Sequence, residues 1–177
     1  MKYYYIHGYG STGVTTFTGL KNAGLKDLKL VSWTSDKPYE ETFEQIKSQI
    51  DLDEEAVIIA SSFGGFWAGH LPYNNYAQIV LVNPLVDPYK SFMEKHYSTT
   101  FTEEIAKTYL NRENTILQRS YPITLYLAKD DDVLDYNIAD KYYKDYANVK
   151  YITGGHVLTN YKEVVEDIKK YENYIAG

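Results

Sequence analysis

The sequence predicts an α/β protein: a reduced, mostly parallel sheet of about six strands flanked by helices, with a small helical cap. Two observations carry this. Short apolar runs alternate with amphipathic stretches from one end of the chain to the other, the pattern of strands joined by crossover helices. The alternation breaks once, between residues 87 and 121, where the connection is too long for a single crossover and reads as two helices.

Strands are expected near Lys2 to Ile6, Leu28 to Ser32, Ala56 to Ala60, Ile79 to Val82, Ile123 to Ala128 and Val149 to Ile152. Apolar spacings of three and four predict helices over Thr15 to Ala23, Tyr39 to Ile50, Gly64 to His70, Asn137 to Tyr146 and Asn160 to Ile175. In the last of these Val164, Ile168, Tyr171 and Ile175 share a face. Asn160 and Glu163 have the spacing of a capping box at its start. A chain of 177 residues, 44% hydrophobic, can bury one substantial core, so 1–177 is read as a single domain with 87–121 as a cap inserted in it. That cap would carry Tyr89, Phe92, Met93, Tyr97, Phe101 and Tyr109.

Composition excludes several classes. A net charge of −6 and the lack of a lysine-rich stripe argue against nucleic acid as a partner, because backbone recognition relies on basic surface. With no cysteine in the chain, disulfides, thiol nucleophiles and thiolate metal sites are excluded. The N-terminal residues run straight into the first strand and offer no signal-peptide core, and no apolar run approaches the roughly 18 to 20 residues of a membrane span. A cytoplasmic protein without membrane attachment is therefore expected. The 20 tyrosines read mostly as structural, ring packed and hydroxyl wet, with a few left to line a pocket.

The most informative segment is Ala60-Ser61-Ser62-Phe63-Gly64-Gly65. It follows a buried-strand run and reads as strand, sharp turn and helix with a serine at the apex, which is how a nucleophilic serine is mounted in the α/β-hydrolase fold. So tight a turn needs small residues two before and two after the serine. Ala60 and Gly64 meet that need for Ser62, whereas centring on Ser61 would put Ile59 and Phe63 there. His156, in the glycine-flanked Thr153-Gly154-Gly155-His156, is the candidate base. His70 and His96 fall at or near predicted helix ends and read as surface residues. Among the acids Asp130, Asp131, Asp132 and Asp135 all compete, and Asp135 would also cap the following helix. Serine, then acid, then histidine is the chain order of that fold.

The glycine loop Gly8-Tyr9-Gly10-Ser11-Thr12-Gly13 matches the dinucleotide fingerprint, but the second strand ends Val31-Ser32-Trp33 with no acid for a ribose. It also lacks the lysine of a phosphate-binding loop, since Val14 stands in that place. It fits better as the loop beside an oxyanion, with backbone N–H groups of Tyr9 and Phe63 as donors. The clustered aspartates lack the spacing of a calcium loop, and neither metal nor cofactor is expected.

Taken together, IHGYGST near the start, SSFGGFWA at the elbow, LVNPLVDP after the fourth strand, DDVLDY after the fifth and GGH near the end resemble, in order and spacing, the small bacterial YqiA-like esterases of the α/β-hydrolase superfamily. Asn83-Pro84 and Leu134-Asp135-Tyr136 are the most distinctive parts. The resemblance implies Ser62 as nucleophile, Asp131 as acid and His156 as base, and activity on small acyl esters; the reading as a whole is a serine hydrolase of small carboxylic esters or thioesters. Ala60 replaces the glycine usual before the elbow, and Phe63 stands where leucine is common. His7, Tyr89 and Phe92 are candidate substrate contacts. The competing expectations are a non-catalytic ligand-binding protein on the same scaffold, and an acyltransferase using the same three residues.

Overall fold

A computed structural model of the chain describes residues 1–95, 99–113 and 121–177. The strands are β1 (Lys2–Ile6), β2 (Leu28–Val31), β3 (Ala56–Ser61), β4 (Ala77–Val82), β5 (Ile123–Ala128) and β6 (Ala147–Ile152). The helices are α1 (Val14–Asn22), α2 (Tyr39–Lys47), α3 (Phe63–Ala68), α4 (Pro88–Lys95), α5 (Glu103–Lys107), α6 (Tyr136–Tyr143) and α7 (Tyr161–Ala176), with a 3₁₀ turn at Leu110–Arg112. One six-stranded sheet runs in the order β2-β1-β3-β4-β5-β6. Every neighbouring pair is parallel.

Continuous apolar runs such as Val57-Ile58-Ile59 are buried on both faces of the sheet, as parallel strands under crossover helices must be. Along β3, Ala56, Ile58 and Ala60 join one core with Ile46 of α2, Trp67 of α3 and Tyr143 of α6. Val57 and Ile59 point the other way, into a second core with Leu20 of α1 and Val164 and Ile168 of α7. The order reverses between β1 and β3, so the loops leaving their C-terminal ends diverge to opposite faces and open a crevice there. Several tyrosines place the ring in or beside these cores and give the hydroxyl to a carboxylate: Tyr3 to Glu172 at 2.7 Å, Tyr126 to Asp167 at 2.5 Å, Tyr151 to Asp140 at 2.8 Å.

Element ends differ from the sequence expectation where side chains or turns take over backbone partners. β2 stops at Val31 because the Gln49 amide occupies Ser32: the Ser32 N–H donates to Gln49 Oε1 at 2.9 Å, and Gln49 Nε2 donates to the Ser32 carbonyl at 2.6 Å. α2 ends at Lys47 rather than Ile50, since Gln49 and Ile50 donate three residues back in a tightened turn. α6 ends at Tyr143, where Tyr146 N–H turns back onto the Tyr143 carbonyl and the chain enters β6 two residues early. Asn160 makes no backbone cap; its amide donates to Glu163 Oε2 at 2.5 Å instead. Ile175 is exposed, because the last turn of α7 overruns the core that holds Val164 and Ile168. Within 87–121, α4 and α5 are the α-helices among the described residues, and 96–98 and 114–120 lie outside them. Among the described residues no helix is long and apolar enough to cross a membrane.

α3 leaves the sheet so close to β1 that Gly64 has no room for a side chain. A Cβ there would lie 2.2 Å from the Ile6 carbonyl oxygen and 2.5 Å from that of His7. Backbone cannot step aside as a flexible side chain can, so Gly64→Ala is expected to cost about 2–3 kcal/mol of stability through overpacking, read as a lower midpoint in urea unfolding.

Candidate active site

Ser62 stands at the junction of β3 and α3 with φ 53° and ψ −124°, a conformation that L-residues rarely adopt. Three hydrogen bonds hold it: its N–H donates to the Val82 carbonyl at 3.1 Å, and its own carbonyl accepts from Gly65 and Leu85, each at 2.9 Å. The turn thus spans the ends of β3 and β4 and pushes the side chain out of the sheet. Gly65 is needed on the far side, where a Cβ would come within 2.5 Å of Pro84 Cβ.

His156 Nε2 lies 3.0 Å from Ser62 Oγ, and His156 Nδ1 lies 2.8 Å from Asp131 Oδ2 and 3.0 Å from Oδ1. An ionised carboxylate only accepts, so the imidazole proton belongs on Nδ1 and Nε2 is left to accept from the serine hydroxyl. The Asp131 side chain is 1% exposed. Burial pushes its carboxyl up, but the His156 imidazole and the N–H groups of Leu134 and Val133 outweigh that and hold it below the usual carboxylate range. A serine hydroxyl beside an imidazole oriented in this way can lose its proton as it attacks an electrophilic carbon.

The other aspartates have separate partners. Asp130 accepts from the N–H groups of Gly154 and Gly155, which shape the loop ahead of His156 and hold the carboxyl below its usual range. Both glycines have positive φ, 120° and 81°, a turn that side-chain-bearing residues would strain. Asp135 caps α6, accepting from Asn137 N–H at 3.0 Å, and Asp132 is exposed. Ser61, the rival serine, gives its hydroxyl to a 2.7 Å hydrogen bond with Tyr5, while the His156 imidazole is bonded to Ser62. Among the described residues no group of three or more His, Cys, Asp or Glu is gathered as metal ligands would be.

Asn83 is the residue whose role sequence reasoning missed. It is buried at the end of β4 with φ 44°. Its Oδ1 accepts from Ala128 N–H at 2.8 Å, and its Nδ2 donates to the carbonyls of His156 at 2.8 Å and Gly155 at 3.3 Å. One amide therefore ties the ends of β4 and β5 to the histidine loop. The Asn83-Pro84 pair at the end of an apolar strand was visible as a signal, but nothing in the sequence says which loop the amide reaches.

Ser62 and His156 open onto a cavity of about 210 Å³ whose other walls are Tyr9, Phe63, Leu85, Phe92, Val133 and Leu134. On their other side lies a second space of about 180 Å³ with the hydroxyls of Tyr5, Ser11, Thr16 and Ser61. The Tyr9 hydroxyl donates to Asp36 Oδ1 at 2.6 Å, and Asp36 Oδ2 accepts from Thr100 at the same distance, fastening the glycine loop to the segment before α5. Phe63 opens α3, so its N–H has no intrahelical acceptor. Gly8 passes close to the serine; a Cβ on it would be 3.1 Å from Ser62 Cβ.

Of the candidate substrate contacts, Phe92 is on the cavity wall, stacked on Phe101 at 3.9 Å, while Tyr89 is not. His7 lies beneath the loop, 2% exposed and stacked on Trp33. Its Nδ1–H donates to the Gly8 carbonyl at 2.8 Å, and burial lowers its pKa against that bond. Tyr109 is buried in the core against Trp67 and away from the cavity. His70, expected at the surface, is buried with its ring nitrogens facing the carbonyls of Phe66 and Arg112; His96 and Tyr97 lie outside the described residues.

A family model described as "Uncharacterised protein family (UPF0227)" matches residues 2–173. The chain belongs to the UPF0227 family. A UPF0227 protein of Shewanella woodyi is 25% identical over 138 residues, covering 74% of this chain and 76% of that one. Among solved structures, Est1E from Butyrivibrio proteoclasticus superposes with a TM-score of 0.65 at 13% identity over 98% of this chain and 88% of its own. The Pyrococcus furiosus esterase PF2001 does so with a TM-score of 0.62 at 12% identity, over 98% and 79%. At these identities the likeness establishes the fold, and this UPF0227 member has the α/β-hydrolase fold.

Two outcomes are expected. Asn83→Ala strands the buried Ala128 N–H and two half-buried carbonyls, and should lower stability by about 2–3 kcal/mol in urea unfolding. Asp131 has a folded pKa below its unfolded value, so its stabilising contribution is present above the ordinary carboxylate pKa of about 3.9 and is lost as pH falls through the lower folded value. Asp131→Asn should accordingly flatten the acid limb of stability against pH at and below about pH 4, measured by unfolding at successive pH values.

Proposed function

We propose that this protein is a serine hydrolase that cleaves small carboxylic esters or thioesters through an acyl-enzyme. The observation that carries the reading is the continuous hydrogen-bonded row from Asp131 through His156 to Ser62, set on a strained turn at the mouth of an apolar cavity. In this reading Ser62 Oγ attacks the acyl carbon while His156 Nε2 takes its proton, and Asp131 stabilises the imidazolium that forms. The oxyanion is held by the N–H groups of Phe63 and Tyr9. His156 then returns the proton to the departing oxygen or sulfur as that bond breaks, and water repeats the sequence to release the acid.

The cap in this reading is the 87–121 insertion, of which α4, α5 and the 3₁₀ turn are described. Phe92, backed by Phe101, gives the cavity an apolar wall suited to an acyl chain.

Reaction with a fluorophosphonate probe, followed by mass spectrometry of the adduct, tests the assignment. Wild type should be modified on Ser62, with the rate lowered at least about 10³-fold in His156→Ala and in Asp131→Asn. Ester hydrolysis undiminished in Ser62→Ala would overturn it.

A further inference from the structure

Beside the Ser62 cavity lies another, of about 200 Å³, between α4 and α6. The two share Leu85 and Leu134 as a common wall. The second has a different character: its lining includes the carboxylates of Asp87, Glu94 and Asp135 and a single ammonium, that of Lys95, which is bonded to the Val133 carbonyl.

Asp87 is the unusual member. The Ser91 N–H donates to its carbonyl at 2.9 Å, which puts Asp87 at the N-cap of α4. An aspartate there ordinarily accepts from the second or third N–H of the helix. In this protein Glu113 does that work from across the cap: its Oε1 accepts from Lys90 N–H at 3.0 Å, and the Tyr89 N–H faces the same carboxylate. The Asp87 carboxyl is thereby released from capping. It is only 8% exposed, lines the cavity, and among the described residues has no hydrogen-bonding partner beyond its own N–H. Burial raises its pKa, with its own N–H and Lys90 opposing, Glu94 adding to the rise and Lys95 reducing it. A largely buried carboxyl that receives only its own N–H, and reaches the cavity with its remaining acceptor sites, favours a further donor there.

We propose that this second cavity is a subsite for a cationic ammonium group on the alcohol part of the ester, with Asp87 as its counter-ion and Glu94 at the rim. The inference rests on the serine-hydrolase reading: the acyl group lies against Phe92, and the alcohol passes Leu85 and Leu134 to reach Asp87. With Lys95 bonded to the Val133 carbonyl and Asp135 held as the α6 cap, Asp87 and Glu94 are the lining charges left to meet a ligand and make the cavity favour positive charge, Lys90 acting on Asp87 only from outside the lining; a desolvated pairing discriminates more sharply than an exposed one.

Choline binding and ester hydrolysis test the two layers separately. Choline chloride titrated into Ser62→Ala, with sodium chloride at equal ionic strength as control, should bind, and Asp87→Asn in the same background should weaken it about tenfold or more. Glu94→Gln, at an exposed position that does not threaten folding, should weaken it about threefold. No choline binding, or binding unaffected by either substitution, overturns the subsite. In kinetics, butyrylcholine should be cleaved with kcat/KM about tenfold or more above its uncharged isostere 3,3-dimethylbutyl butyrate, and Asp87→Asn should bring the ratio toward one. Equal cleavage of both by wild type overturns the subsite and leaves the hydrolase reading standing. Choline binding that depends on Asp87, with neither ester cleaved and no probe adduct on Ser62, overturns the hydrolase reading and supports the cation site alone.

Discussion

Everything at this end of the molecule depends on the backbone of Ser62 being held where an L-residue does not rest. A residue at φ 53° and ψ −124° costs of the order of 1–3 kcal/mol, and persists only if its surroundings leave no alternative. Here they do so from three sides. β4 takes its N–H through Val82, Leu85 and Gly65 share its carbonyl, and the glycines at 64 and 65 let α3 lie against the end of β1 and against Pro84 without a clash. The strain is a property of the packed sheet, and its result is a hydroxyl that projects toward a loop arriving from the far edge.

That loop is fastened with equal care. Asp130 gathers the two glycine N–H groups, Asn83 holds the carbonyls of Gly155 and His156, and Asp131 receives the imidazole. Three polar side chains from the ends of β4 and β5 thus settle where β6 delivers its histidine. Adjacent aspartates take unlike tasks because successive residues in a turn point in different directions. This is also why a run of three acids in sequence could not by itself reveal which one meets the histidine.

The segment between β4 and β5 shows the same economy of contacts. Among the described residues, Tyr109 packs against Phe63 and Phe66 and Phe101 against Phe63 as a continuation of the core, while Phe92 lines the cavity. Tyr9 completes that wall from the opposite side, tied through Asp36 to Thr100. The glycine loop that carries Tyr9, with its misleading likeness to a nucleotide fingerprint, is bound instead to the segment that follows the second strand, where His7 stacks on Trp33, Trp33 Nε1 donates to the His7 carbonyl and Gly10 N–H donates to the Ser35 hydroxyl.

Local chemistry was sufficient for much of this. Apolar runs bounded by polar turns marked the inner strands, because a strand buried on both faces must be apolar throughout, while the edge strands β2 and β6 keep polar residues such as Lys29 and Asn148 and were marked by their place in the alternation. Small residues around Ser62 marked the elbow, because a tight turn excludes bulk whatever surrounds it. Strand order, the amide of Gln49 ending β2, the reach of Asn83 across two strands and the release of Asp87 by Glu113 were decided only by the tertiary structure. Each joins residues distant in the chain, and a polar side chain in a sequence declares that it needs a partner without declaring which one the fold will bring within 3 Å.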